Sequence, residues 1–471
     1  MVFSSPIFLF CFFPITYIIY RLLSKLKVQN WWLAAASLVF YSFGQPIYLL
    51  LLLFSVGMNY LFGRLMMSPA GQKKRLPVVC AVAANLTLLG VFKYLDFFLG
   101  TLNGLFGAHI PLPGLVLPIG ISFYTFQGLS YVIDVHRNPT IGTTDFGDLI
   151  LYISFFPQLI AGPIIKYHDV SKQIRQRAIT PELTLSGLER FITGLAKKLL
   201  LANTVGQVAD AVFALERGAL DMRLAWLGAV CYALQIYFDF SGYSDMAIGL
   251  GRIFGFTFQE NFRLPYVAKT VKEFWRRWHI SLSTWFRDYL YIPLGGNRAG
   301  RARTTRNKFI VFFLTGLWHG ANWTFVLWGL WHGLFAALED ANIIPERFRR
   351  SPFAHLYTLA VVILGFTLFR ADSLSAAGVM FAQMFAGFQF TPAHTLTLIS
   401  LLDPRTVFLL IAAILLALGL PQRLVDRLSR RSVRSSGVQQ FLRAGGCAAL
   451  FALCVLNLSA TSFNPFIYFQ F

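Results

Sequence analysis

An all-α fold that crosses a membrane many times is what this sequence predicts, and three observations predict it. Of the residues, 56% are hydrophobic and only 13% are charged, which leaves too little polar surface to clothe a soluble core. Apolar runs approaching the roughly 17–25 residues of a bilayer-crossing helix recur from end to end. Strand-like alternation is weak throughout, so the spans are expected as helices rather than as a lipid-facing barrel.

The runs lie at 6–20, 48–62, 76–92, 115–133, 224–238, 357–369, 407–420 and 447–458, and several need flanking residues to span. The first has no basic residues before it and is followed by Arg21, Lys25 and Lys27. It reads as an uncleaved first span with its start outside, not as a signal peptide. Two further segments separate this cluster from Arg64, Lys73, Lys74 and Arg75, as a hairpin would. The stretch 100–114 carries no Lys, Arg, Asp or Glu and is placed outside. Residues 149–165 fit either a re-entrant segment or a true span. No repeat, low-complexity tract or long linker breaks the chain, so residues 1–471 are read as a single membrane domain.

A net charge of +20 raises the question of nucleic-acid binding. The placement of the charge answers it. Basic residues fall in short clusters between apolar runs, including Arg347, Arg349 and Arg350 and the stretch 423–434. That is the pattern of cytoplasmic loops in a lipid bilayer, with no nucleic acid among the partners. The five cysteines stand singly in apolar surroundings, which suits packing rather than metal or disulfide chemistry.

Residues 252–308 differ from the rest. They hold twelve Lys or Arg against three acids, with Phe274, Trp275, Trp278, Trp285, Phe286, Tyr289 and Tyr291 threaded among them. By the positive-inside rule this segment faces the cytoplasm. It suits either an interfacial anchoring belt or a cationic mouth for an anionic substrate.

Just beyond it, an apolar run from residue 309 reaches Trp318, His319, Gly320, Ala321 and Asn322, and a second run, 323–337, leads back to basic residues. The simplest path through 309–340 is a hairpin or broken helix that holds His319 inside the membrane. An ionisable group at that depth is costly and marks function, although packing against a neighbouring helix is the plainer alternative. On one continuous helix His332 would stand roughly 20 Å from His319 and turned by about 220°. The two could not then share a metal, and no HExxH or Cys/His cluster is present. His332 is read as structural. His279 closes the run EFWRRWH; on a helix its neighbours would be Arg276 and Trp275, a setting that disfavours the imidazolium. Ser281 and Ser283 follow it without a G-x-S-x-G elbow or an acid at a recognisable spacing.

Several of these motifs are long and specific: QIYFDFSGYSDM at 235–246, EFWRRWHISLS at 273–283, WFRDYLYIPLGGNR at 285–298, and NPFIYFQF at 464–471. With PQLIAGP at 157–163, NFRLPY at 261–266 and the run 315–333, they resemble the membrane-bound O-acyltransferase family. The branch they resemble O-acetylates bacterial polysaccharides such as alginate. The resemblance implies about eleven or more transmembrane and re-entrant helices around a central tunnel. It implies acetyl-CoA as donor substrate with no bound cofactor, an in-membrane catalytic histidine that by motif is His319, and a second polar position that matches His279. It also implies an exported polysaccharide acceptor, a periplasmic acetyltransferase partner and a place in the bacterial inner membrane. Lys272, Arg276 and Arg277 are the expected contacts for the CoA phosphates. Trp278, Asp288 and Asn322, from the same motifs, complete the expected substrate-binding set. Transfer of another acyl group, as in teichoic acid D-alanylation, stays open. So does a transporter or flippase with His319 as a proton relay, although the paired, interrupted halves common in transporters are not visible.

Overall fold

The computed structural model describes residues 1–69, 71, 74–298, 300–421, 436–460, 466 and 467, and among these there is no strand. Lys73, the basic stretch 423–434 and most of the 464–471 motif lie outside the described residues. Among the described residues, five helices are long and apolar enough to cross a membrane. A bent pair, Pro392–Leu401 and Pro404–Ala417 at 73°, would make a sixth. The chain divides into two compact units.

The first unit comprises Met1–Phe191 and Ser244–Gln259. Its helices are α1 (Phe8–Leu22), α2 (Leu26–Ser42), α3 (Tyr48–Met67), α4 (Leu76–Phe106), α5 (Ile121–Arg137), α6 (Phe146–Ser154) and α7 (Tyr167–Arg175). The run at 115–133 is helical only from residue 121 onward, in the 17-residue α5. Gly120 sits at a φ of 76° and starts α5 there, so the helix begins late. Residues 149–165 do not form one long helix: α6 has nine residues, about 14 Å, under half of the bilayer's hydrocarbon thickness. The chain then turns back, with the Tyr152 hydroxyl donating to the Ile165 carbonyl at 2.8 Å. Polar contacts tie the apolar helices together. Asn59 of α3 and Asn85 of α4 exchange amide bonds of 2.8 and 3.2 Å. Gly128 of α5 leaves the room, since a Cβ there would lie 2.6 Å from the Asn59 amide.

The second unit comprises Ile192–Tyr243 and Glu260–Phe471. Helix α8 (Pro181–Ala196) leads into it and continues through a π turn into α9 (Asn203–Phe213). Helix α10 (Met222–Ile253) is 32 residues long, and 78% of its most apolar window is buried, which makes it a core helix rather than a lipid-facing one. Its Asp239 accepts a 2.6 Å ion-pair bond from Lys198 and a 2.7 Å bond from the Ile467 backbone N–H. The pairing satisfies both buried charges. There follow α11 (Val271–Arg277), α12 (Ile280–Phe286), α13 (Gly300–His319), α14 (Trp323–Asp340), α15 (Phe353–Arg370) and α16 (Leu374–Ala386). The bent pair supplies α17 (Pro392–Leu401) and α18 (Pro404–Ala417), and α19 (Ser436–Ala460) closes the series.

The expected hairpin forms: α13 and α14 pack on each other and break at residues 320–322. Glycines set their closeness. A Cβ on Gly316 would meet the Phe325 carbonyl at 2.4 Å, and one on Gly329 the Phe312 carbonyl at 2.2 Å. Any side chain at either position would push the two backbones apart. Of the cysteines, Cys231 and Cys454 are buried, whereas Cys11 and Cys80 are exposed, so packing inside the protein is not the setting of all five.

Candidate active site

The site grows from two chain breaks within the second unit. The first lies between α11 and α12. Helix α11 starts with the Thr270 hydroxyl accepting from the Glu273 N–H at 3.0 Å, the cap that T-x-x-E spacing encodes. Two more of its orphan donors, Val271 and Lys272, bond to the Glu339 carboxylate of α14 at 2.6 and 3.2 Å. Seven residues later the helix stops, and His279 adopts φ 44°, ψ 54°. A left-handed conformation costs a non-glycine residue roughly 1–2 kcal/mol, so the neighbours must hold it. Asn261 does this. Its carbonyl accepts from the Ile280 N–H at 2.9 Å, and its side-chain oxygen accepts from the Ser281 N–H and hydroxyl at 3.2 and 2.8 Å.

This turn corrects the expected surroundings of His279. Because the residue lies outside any helix, it does not stack over Trp275 and Arg276. Its ring faces Phe240 of α10 at 4.6 Å, Trp318 at 5.8 Å and His319 at 6.2 Å between centroids.

The second break is the α13–α14 turn. His319 is the last residue of α13, and Asn322 caps α14 by accepting from the Thr324 N–H at 3.1 Å. Asn322 also donates to the Asp372 carbonyl at 3.0 Å, which ties the turn to the segment after α15. The His319 ring is walled by Trp318 at 4.9 Å, Trp328 at 5.0 Å and Phe369 at 5.3 Å. Both histidines are buried, His279 at 0% and His319 at 4% exposure. Two imidazoles thus share one buried, aromatic-walled chamber.

His332 comes closer to this chamber than a continuous helix would allow, because the hairpin folds α14 back. It packs at 5.3 Å from Trp328, the same ring that walls His319. Neither of its ring nitrogens makes a hydrogen bond among the described residues. Among the described residues no group of three or more His, Cys, Asp or Glu could hold a metal ion.

The expected substrate contacts separate into distinct settings. Lys272 pairs with Asp340 at 2.7 Å, and Lys308 bonds the same carboxylate. Arg277 pairs with Glu273 at 2.8 Å. Burial raises the Glu273 pKa, but the Lys269 N–H and the Arg277 guanidinium outweigh it and hold the carboxyl below its ordinary value. Arg276 is exposed and enters no ion pair among the described residues. Trp278 is buried against Phe262 at 5.0 Å and Phe366 at 5.1 Å, and Asp288 pairs with its neighbour Arg287 at 2.7 Å. Phe240, Asn261, Trp328, Glu339 and Phe369 were not singled out from sequence. Phe240 and Asn261 stand inside the motifs QIYFDFSGYSDM and NFRLPY, and Glu339 and Asp340 are an acidic pair closing an apolar run, which is the available signal.

Residues 137–369 match the membrane-bound O-acyltransferase family, MBOAT. The chain is 41% identical over 496 residues to the Pseudomonas putida protein named "Probable alginate O-acetylase AlgI", with 100% of both chains covered. It is 36% identical over 415 residues to the peptidoglycan O-acetyltransferase of Helicobacter pylori, covering 80% of this chain and 78% of that one. To the teichoic acid D-alanyltransferase of Bacillus subtilis it is 31% identical over 229 residues, covering 45% of this chain and 56% of that one.

Proposed function

The chain belongs to the membrane-bound O-acyltransferase family, and from that premise we propose that it carries an acetyl group from cytoplasmic acetyl-CoA across the membrane for O-acetylation of an exported or cell-wall polysaccharide. The observation that carries this reading is the pairing of His319 and His279, 6.2 Å apart between ring centroids, at two helix breaks that meet in one buried chamber. In this scheme both units serve one membrane domain, whose eleven or more transmembrane and re-entrant helices surround a tunnel through the bacterial inner membrane.

The chemistry follows from the surroundings. An acceptor hydroxyl is a weak nucleophile until a base removes its proton. Neutral His319 takes that proton as the oxygen attacks the thioester carbonyl. The tetrahedral oxyanion collapses, the C–S bond breaks, and the proton held on His319 passes to the leaving thiolate. His279 orients the donor or donates to the oxyanion from its fixed, left-handed position. No bound cofactor enters the scheme. The CoA phosphates meet the cytoplasm-facing basic segment, where Arg276 is exposed and Lys272 and Arg277 are held in ion pairs. On the far side the acetyl group passes to the glycan through a periplasmic acetyltransferase partner.

Purified protein in detergent micelles is predicted to release free CoA from acetyl-CoA, read by thiol titration. If only a thioester of a different acyl group is cleaved, the acetyl assignment is wrong. If no thioester is cleaved and a solute moves instead, the transfer reading is wrong altogether.

A further inference from the structure

Two motifs of the sequence, QIYFDFSGYSDM at 235–246 and NPFIYFQF at 464–471, carry no step of the scheme above, yet the fold joins them. Ile467 donates its backbone N–H to Asp239 Oδ2 at 2.7 Å, across 228 positions of sequence. The other oxygen of that carboxylate, Oδ1, receives the Lys198 ammonium at 2.6 Å. The side chains of this pair are 5% and 2% exposed, and Phe466 and Ile467 are themselves buried.

A buried ion pair is no stronger than well-packed apolar side chains of the same volume, so stability alone does not call for Asp239 and Lys198. What apolar residues could not do is accept the Ile467 N–H, which would then be buried without a partner. The carboxylate is thus the group that captures residues 466 and 467, and the ammonium neutralises it. Lys198 projects from the π turn at 197–202 between α8 and α9, a geometry that recurs at functional sites.

The captured residues lead to His279. Phe466 lies on Tyr243 at 4.6 Å and on Phe240 at 6.2 Å between centroids. Phe240 follows Asp239 in α10 and meets the His279 ring edge-on at 4.6 Å and Phe262 at 5.0 Å. Phe262 is next in sequence to Asn261, whose carbonyl and side chain hold the left-handed turn at His279. Phe240 therefore bears both on the imidazole and on the segment that fixes its backbone, and Phe466 in turn bears on Phe240. Interiors are close-packed, so a wedge withdrawn behind one ring is felt by the next.

Resting on the transfer reading above, we propose that Phe466 and Ile467 are positioning residues of the active site: clamped by Asp239 and Lys198, they hold Phe240 against His279 and keep that imidazole aimed at the reacting thioester. Their effect falls on the rate and not on donor binding, since they act through Phe240 and His279.

The test pairs kinetics with a label that needs no acyl donor, both on the full-length protein in detergent. Phe466→Ala withdraws the wedge and leaves the clamp, while Phe466→Leu refills most of the space. Phe466→Ala should lower kcat for CoA release from acetyl-CoA about ten- to a hundredfold with KM within about twofold of wild type, the pattern of an interaction used only in the transition state. Phe466→Leu should recover most of the rate. Asp239→Leu combined with Lys198→Met, which removes the clamp without stranding a charge, should reproduce the Phe466→Ala pattern. Carbethoxylation by diethyl pyrocarbonate, located by peptide mass, should reach His279 at least about fivefold faster in Phe466→Ala than in wild type. Buried His394 of α17, which takes no part in these contacts, should stay as slow as in wild type. The proposal is overturned by a wild-type kcat or unchanged His279 labelling in Phe466→Ala, by a loss expressed in KM alone, or by His279 and His394 becoming reactive together. Equal losses in Phe466→Leu and Phe466→Ala, or an apolar pair that leaves both readouts unchanged, overturn it as well. Selective exposure of His279 in a protein whose wild type frees no CoA would leave the brace standing and remove the transfer reading instead.

Discussion

The chamber around His319 and His279 and the charged flank at the start of α11 are built on opposite rules. In the chamber the two imidazoles face each other and are walled by Phe240, Trp318, Trp328 and Phe369. On the flank, Lys272 and Lys308 share Asp340, Arg277 holds Glu273, and Glu339 caps the helix. Only seven residues of α11 separate the two. The contrast teaches that abundance of charge does not mark the reactive position. On the flank, carboxylates consume much of the cationic charge to fix α11, and α11 in turn fixes the backbone from which His279 reaches the chamber.

The largest effect should come from breaking the chamber. His319→Ala is predicted to lower acyl transfer at least about 100-fold, the scale of a lost general base, with expression and melting behaviour retained. Activity within a few-fold of wild type would mean that another group removes the proton. His279 tests the second wall. His279→Asn tolerates the left-handed backbone, so it should fold normally yet lose activity, whereas His279→Val should also lower the melting temperature. Equal stability of the two would show that the turn does not depend on the residue's conformation.

These two histidines were legible in the sequence, one from an ionisable group between apolar runs and both from motif resemblance. Their surroundings were not. Helical spacing put Arg276 and Trp275 beside His279, because nothing local in EFWRRWH announces a left-handed residue; the turn is imposed by Asn261, eighteen positions upstream in another motif. Similarly, the roughly 20 Å between His319 and His332 holds only for an unbroken helix, and the hairpin at 320–322 cancels that geometry. Long apolar runs such as 48–62 gave spans, but 115–133 and 149–165 became shorter buried helices, since a run buried by protein and one facing lipid have the same composition.

On the flank the effects should be smaller and should fall on stability or donor affinity. Glu339→Ala removes the acceptor for two N–H groups and should cost about 1–3 kcal/mol, measured as a lowered melting temperature in detergent; an unchanged melt would show that Thr270 alone caps α11. Arg276→Ala should weaken acetyl-CoA binding several-fold and more than Lys272→Ala does, because Lys272 is already engaged by Asp340. The reverse ranking would mean that substrate displaces Asp340.

The smallest effect lies in the first unit, far from this contrast in character. His168 is paired with Asp134 at 2.8 Å and Asp169 at 3.1 Å, and those hydrogen bonds raise its pKa to about 9. A raised pKa stabilises the fold fully below the ordinary value of 6.5, and the contribution is lost as pH rises through about 9. The melting difference between wild type and His168→Ala should therefore shrink between those limits. The side chain is 43% exposed, so solvent screening keeps the effect slight. A difference independent of pH would assign the contact to packing.

The most direct test of the central claim places the two substrates on opposite sides of a bilayer. Protein is reconstituted into liposomes that enclose a hydroxyl-bearing glycan acceptor together with the soluble acetyltransferase encoded nearest to this chain's gene, and acetyl-labelled acetyl-CoA is supplied only outside. In correctly oriented vesicles the label should appear as an ester on the enclosed glycan, with an equal amount of CoA freed outside, and His319→Ala should abolish both. Label that stays outside while CoA is released, or that crosses equally well in His319→Ala, would contradict transfer through the chamber.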